Sequence, residues 1–262
     1  MAMVGQYQGP DGTAALAVVA PVWNVIYSLG LLMGIGGSVL FSMRRGGGDS
    51  RGSENQFFTA AFIGSVILAA VAWAGMILFE KPILPFFGAD ETLLSLAEDY
   101  LRPVMYVLPL FLFSQMLSAF VRNDENPGLA TAAVLAGGIF NVFGDYFFVF
   151  TCDMGVFGAG LATAVGCVIS VSVMLTHFFR KKNTLRLVHV EKLGRYLGKI
   201  AVTGFSTFFI DIAMGILTVL FNRQIMRYLG ADALWYAMPV TELMTAVYVA
   251  VSMKKYTGRL PE

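Results

Sequence analysis

Charge is scarce in this chain. Of its 262 residues only 13% are Asp, Glu, Lys or Arg, while 57% are hydrophobic and the mean hydropathy is +0.70. A soluble domain carries about 25% charged residues, so a surface of this composition cannot face water everywhere. Cysteine is nearly absent: Cys152 and Cys167 make neither a disulfide framework nor a metal-binding spacing. His177 and His189 are equally isolated and read as boundary or loop residues rather than ligands. No basic run interleaved with aromatics marks a nucleic-acid surface, and no Walker-type loop marks a pump with its own nucleotide site. Zinc, catalytic-triad and intramembrane-protease constellations are lacking, so nothing points to an enzyme or a resident cofactor. The start, MAMVGQYQGPDGTAAL, lacks the basic opening of a signal peptide, and the first apolar stretch is read as mature protein.

What the chain does have is long apolar runs. A bilayer core needs roughly 20 mostly apolar residues per helix. Seven segments qualify: about 14–43, 57–79, 99–121, 128–151, 156–180, 196–229 and 235–253. They run without the alternation of a membrane barrel, so the expected fold class is all-α, a polytopic membrane protein of about seven transmembrane helices. Pro103, Pro109 and Pro239 fall inside segments, where neighbouring helices must re-satisfy the freed carbonyls. Loops are expected at 44–56 and 80–99, and the basic stretch 180–199 reads as a connection between two bundles. The last segment, 235–253, holds no lysine for a retinal Schiff base.

Loop charge alternates. Arg44, Arg45 and Arg51 follow the first segment; Glu80, Asp90, Glu91, Glu98 and Asp99 follow the second, against Lys81. Arg122 follows the third, Asp153 the fourth, a cluster from Arg180 to Lys199 the fifth, Asp232 the sixth, and Lys254, Lys255 and Arg259 the seventh. Lysine and arginine mark the cytoplasmic side. The expected topology is a multi-pass protein of the plasma (inner) membrane, with its N-terminus outside and its C-terminus in the cytoplasm.

Three acids fall inside apolar segments: Asp145, Asp211 and Glu242. Each costs at least about 2.5–3.5 kcal/mol at the bilayer centre and needs a reason. Asn141 and Asp145 lie one turn apart on a face shared with Val134 and Gly138, while Phe140, Phe143, Phe147 and Phe150 form the opposite face. The pair is expected to face the bundle interior, either as interhelical glue or as a cation or proton site, since carboxylate and amide oxygens suit hard cations. On 196–229, Gly204, Thr207, Asp211, Gly215, Thr218 and Asn222 fall within about 40° of one line about 27 Å long. Small and hydroxyl residues alone would mean tight packing; with Asp and Asn added, the stripe reads better as the wall of a wet cavity. Glu242, just after Pro239, is a third cavity acid or a partner for a polar group. Gly30 and Gly34 give a GxxxG spacing for close helix packing.

VRNDENPGLATAAVLAGGIFNVFGDYFFVF (121–150), MGVFGAGLATAVG (154–166), GFSTFFIDIAMGILTVLFNRQIMRYLGADAL (204–234) and PILPFFGADETLLSLAEDYLRPVMYVLP (82–109) closely resemble the multidrug and toxic compound extrusion (MATE) family. The resemblance covers nearly the whole chain. It implies a twelve-helix antiporter architecture of two six-helix lobes around a central cavity, exporting organic cations or drugs in exchange for Na⁺ or H⁺. Helices one to six here resemble family helices two to seven, with GQYQGPDGTAAL matching the loop before them. The final segment resembles the family's last helix, so the resemblance implies that the first helix and helices eight to eleven are missing. The expected layout is an amino-terminal lobe at 1–180, a cytoplasmic basic linker at 181–195 and a remnant of the second lobe at 196–262. It further implies a cation site at Asn141, Asp145 and Thr163, with Na⁺ held by Asn141 and Asp145 if Na⁺ is the coupling ion. A substrate cavity is implied at Asp211, with Thr207, Thr218, Asn222 and Gln115. The implied partners are a small organic cation or drug and the lipid bilayer. Two alternatives stay open: a lipid-linked oligosaccharide flippase, whose cavity should be basic, and a non-transporting fragment or interaction partner of a full-length exporter. A short turn near Gly230–Leu234 is expected to fold 235–253 back against 196–229.

Overall fold

The computed structural model describes residues 2–47, 52–86 and 91–229, and side chains as far as 217. Among the described residues all regular structure is helical. The elements are α1 (Ala2–Gly46), α2 (Asn55–Phe86), α3 (Glu91–Met105), α4 (Leu108–Asn123), α5 (Pro127–Tyr146), α6 (Gly155–Leu175) and α7 (Leu193–Leu229). A π-turn at Phe147–Thr151 extends α5, and a 3₁₀ turn at Thr176–Phe179 extends α6. Among the described residues five helices are long and apolar enough to cross a membrane, and α3 with α4, bent by 60° at their junction, together pass the same test as one broken span. Six of the seven expected spans are therefore present, and the seventh, 235–253 with Glu242, lies outside the described residues.

The break in the α3–α4 span follows from proline. Pro109 has no N–H for the carbonyl of Met105 and its ring would crowd that oxygen. The chain responds with a tighter Val107 N–H to Val104 carbonyl bond of 3.0 Å and restarts as α4. Pro10 acts likewise on the residue before it: Gly9 takes φ 72°, ψ −157°, a conformation favouring glycine, so α1 is kinked there. This corrects the loop expected at the N-terminus. Residues 2–8 are helical and folded onto the α5–α6 turn, with Val4 buried beside Leu16, Val149 and Val156, and the Tyr7 hydroxyl donating to Asp153 at 2.5 Å. The loop expected at 80–99 is also mostly helix, since α2 continues to Phe86 and α3 starts at Glu91.

Helices in lipid gain little from hydrophobic transfer and associate where small residues let backbones approach. Gly30 and Gly34 do this for α1 against α4: a Cβ at Gly30 would stand 2.7 Å from the Leu112 carbonyl oxygen, and one at Gly34 2.9 Å from the Met116 Cα. The GxxxG reading holds. Gly137 on α5 meets Gly166 on α6 in the same way.

The stretch expected to be a linker between two bundles is strapped to the first helices. Leu185 is buried with Phe58 and Phe120. Asn55 pairs with the backbone on both sides of it, donating to the Thr184 carbonyl (3.0 Å) and accepting from Arg186 N–H (2.9 Å), while Thr59 accepts from Val188 N–H (2.9 Å). The compact division of the chain falls at 212/213, not at the linker, so the basic stretch and the first turns of α7 belong to the same unit as α1–α6.

Candidate functional site

The acids predicted inside the membrane are found in two places. Asn141 and Asp145 line a cavity of about 240 Å³ between α1, α3, α5 and α6, together with Trp23, Asn24, Tyr100 and Thr163. α5 delivers the pair because its buried stripe is small: Ala130, Ala133, Gly137 and Gly144 pack against α6, which turns Asn141 and Asp145 toward the seam with α1. Thr163 is the hub. Its hydroxyl donates to the Ala159 carbonyl one turn back (3.0 Å) and accepts from the Asn141 amide (3.1 Å). With its one proton used, the 3.3 Å contact with Tyr100 must be a bond donated by the phenol.

These bonds fix which atoms face the cavity. Asn141 spends its N–H on Thr163, leaving its carbonyl oxygen as an acceptor. Tyr100 spends its proton likewise and accepts from the Trp23 indole N–H, leaving one oxygen lone pair. Asp145 Oδ1 is buried and has no hydrogen-bond partner. The Asn141 and Tyr100 oxygens thus line the same cavity as the Asp145 carboxylate, and carboxylate with amide and hydroxyl oxygens is a donor set that suits hard cations. Among the described residues no group of three or more His, Cys, Asp or Glu forms a metal cluster, so the arrangement depends on amide and hydroxyl oxygens.

Sequence reasoning named Asn141, Asp145 and Thr163 and missed Tyr100, Trp23 and Asn24. Asn24 had a signal, as an uncharged amide inside the apolar run 14–43; Tyr100, one residue inside its span, had none. The face above the pair is less covered than expected: Val134 is 50% exposed and Gly138 has no neighbour within contact. Phe143 and Phe147 on the opposite face are also exposed, as expected for lipid-facing rings.

The second acid departs from the expectation. Asp211 is half-buried and accepts a hydrogen bond from the hydroxyl of the fully buried Ser28 on α1. Two turns before it, Gly204 packs directly on α1, where a Cβ would collide with the Leu32 carbonyl oxygen; Gly36 meets the Ile200 carbonyl just as closely. At Gly204 and Asp211, then, the stripe meets α1 in a packing contact. Glycine there serves backbone contact, and the carboxylate is held by a serine that the sequence did not mark. Gln115 is likewise drawn into the seam: its Cβ lies 2.7 Å from the Cβ position of Gly30. The side chains of Thr218 and Asn222 lie outside the described residues.

A separate buried network sits at the opposite end of the bundle. Asp124, in the turn after α4, and His177, after α6, are each about 1% exposed in their side chains and lie 2.7 Å apart. As oriented, the Asn126 amide donates to His177 Nδ1 (3.1 Å), so Nε2 carries the proton and donates to Asp124. Arg45 bridges Asp124 (2.9 Å) and Glu125 (3.2 Å), and Thr184 donates both its N–H (2.9 Å) and its hydroxyl to Asp124. Burial by itself would raise the Asp124 carboxyl, but the bonds from Thr184 and His177 outweigh it and hold the group below its ordinary value.

The profile of the MatE family matches residues 1–147. The multidrug export protein MepA of Staphylococcus saprophyticus is 27% identical over 218 residues, covering 82% of this chain and 48% of that protein. MepA of Staphylococcus aureus strain MSSA476 is 24% identical over 228 residues, covering 86% and 50%. A crystal structure described as MATE in the bent conformation superposes with a TM-score of 0.79 at 23% identity, covering 92% of this chain and 55% of that one. The structure of the MATE multidrug transporter DinF-BH, in complex with a ligand, gives 0.77 at 24% identity, covering 88% and 53%. At these identities the structural likeness carries the fold. The chain spans about half the length of the curated relatives it matches.

Proposed function

We propose that this chain, which belongs to the MatE family, supplies the ion-coupling half of a drug exporter, with Asn141, Asp145, Thr163 and Tyr100 binding the coupling ion. It is a multi-pass membrane protein, and the relatives it resembles are named as multidrug exporters. The observation that carries the reading is the buried, unpartnered Asp145 oxygen in a cavity it shares with Asn141, Tyr100 and Thr163. An ionised carboxylate left so in a membrane is costly. A Na⁺ ion would be coordinated by Asp145 with the Asn141 and Tyr100 oxygens; a proton would make Asp145 a donor to one of those acceptors. Either removes the cost, so the loaded and unloaded lobes differ in energy and can favour different conformations. That difference is what alternating access needs from a coupling ion. The cargo proposed is a small organic cation, and the orientation is N-terminus outside, basic end in the cytoplasm.

The test uses the chain reconstituted in vesicles. Trp23 lines the cavity, so Na⁺ or acid titration is expected to change tryptophan fluorescence in the wild type and not in Asp145→Asn. Ethidium movement driven by a Na⁺ or pH gradient is expected to disappear in the same variant. No fluorescence response to either ion in the wild type sinks the site. The coverage of about half of each relative favours a second reading, in which this lobe binds the ion but moves no cargo without further helices. Intact ion titration with no ethidium flux, restored by co-reconstitution with a full-length relative, identifies that case.

A further inference from the structure

We propose that the pocket between the start of α2 and the start of α7 seats the phosphate of an anionic phospholipid, held by Lys192, Arg195, Lys199 and Gln56. The pocket has a volume of about 210 Å³ and is lined by these four residues with Glu191 and Tyr196. Lys192, in the turn just before α7, and Arg195 and Lys199 on it follow helical spacing and place three cations on one side of the helix start. All three are exposed, and none forms an ion pair among the described residues. Glu191 opposes them, leaving two positive charges in excess.

The seat is preformed. The Tyr196 hydroxyl donates to the Gln56 carbonyl oxygen, and its ring packs edge-on against Phe57 at 4.9 Å. With its oxygen occupied, Gln56 offers the pocket its amide N–H donors. The strap of Asn55, Thr184, Leu185 and Thr59 fixes the path of the chain leading into Lys192. Four donor side chains thus converge on a space that already exists.

Place and size identify the occupant. α7 enters its apolar span at Leu193, so the pocket lies at the level where the bilayer meets water. One and two turns deeper, Val202 is 79% exposed and Phe205 57%, an apolar surface on which an acyl chain can lie beneath its headgroup. The volume is below the roughly 300–1,000 Å³ of pockets that bury drug-sized molecules, and excess positive charge repels an organic cation. Basic pockets between transmembrane helices at this level suit phosphate headgroups.

The experiment is native mass spectrometry of the full chain released from detergent with phosphatidylglycerol or phosphatidylcholine. Retention of phosphatidylglycerol over phosphatidylcholine is expected. At about fivefold per surface cation, the triple variant Lys192→Ala, Arg195→Ala, Lys199→Ala should retain it roughly 100-fold less well. A matched loss of three charges from the same segment, Arg180→Ala, Lys181→Ala, Lys182→Ala, should change retention less than twofold. Gln56→Glu keeps an acceptor for Tyr196 while replacing the amide donors by a carboxylate, and should weaken retention severalfold with every cation in place. Equal losses in the two triple variants, equal retention of both lipids, or displacement of phosphatidylglycerol by millimolar inorganic phosphate would overturn the proposal.

Discussion

At the scale of single residues, what separates the carboxylate proposed to bind the coupling ion from a structural one is its partners. Asp145 and Asp124 are both withdrawn from solvent, but Asp124 is surrounded by donors whereas Asp145 has an oxygen with none. Asp145→Asn should therefore leave folding intact while removing ion-dependent responses, since the amide keeps the size and loses the charge. Tyr100→Phe should be milder, weakening ion affinity severalfold, because it removes one oxygen and leaves Thr163 held by Asn141 and Ala159. A flux-against-concentration curve reads both. Asp124→Ala should instead lower stability and leave the ion site unchanged. The expected loss is about 3 kcal/mol, the lower end for removing one partner of a buried pair, because Arg45 keeps a third of its side chain in solvent. Because the Asp124 carboxyl is held below its ordinary value, its contribution is complete at neutral pH. It persists down to about pH 4, near the unfolded carboxyl, and is lost as pH falls further through the lowered folded value. Thermal unfolding in detergent from pH 7 to pH 3 should show the wild type converging on Asp124→Ala at the acid end.

At the scale of elements, the contacts that set the architecture are backbone approaches at glycine. Gly36 on α1 and Gly204 on α7 meet each other's helix at distances no Cβ tolerates, while Gly138 on α5 faces open space. Gly204→Leu should cost about 1–3 kcal/mol or more by forcing α7 off α1, with the Ser28–Asp211 bond lost as the helices part. Gly138→Leu should leave the unfolding temperature within a degree or two of wild type. If the two behave alike, the α1–α7 seam is not a packing contact. The same pair of glycines marks how far a sequence pattern reaches. A stripe of Gly, Thr and Asp at helical spacing identifies a special face of α7, but packing seam and cavity wall both use such residues. Which one it is depends on how close a second helix, far earlier in the chain, comes to it.

At the scale of the whole molecule, the helices alternate direction, so the basic ends gather on one side with Arg45, Arg122, Arg180 and Lys199, and the Tyr7–Asp153 contact lies at the other. Cys152 is exposed at that second end and Cys167 is buried. An impermeant maleimide added to intact cells should label Cys152 and spare Cys167. Labelling of Cys152 only after permeabilisation would invert the proposed orientation.

Much of this was legible from residues close together in the chain. Run length and hydropathy determined six of the described crossings, proline determined the broken one, and the four-residue spacings of Asn141 with Asp145 and of Gly30 with Gly34 determined their shared faces. These depend on helix geometry, which repeats identically wherever a helix forms. The tertiary structure decided what each face meets. Trp23 and Asn24 come to the Asn141–Asp145 cavity from α1 and Tyr100 from α3. Asp124 finds His177 53 positions away and Thr184 60 away, which makes a strap of a segment that reads as a polar linker. The physical reason is that a polar group inside or beside a bilayer must find a partner, and the identity of that partner is fixed by how helices far apart in sequence pack, not by the spacing within any one of them.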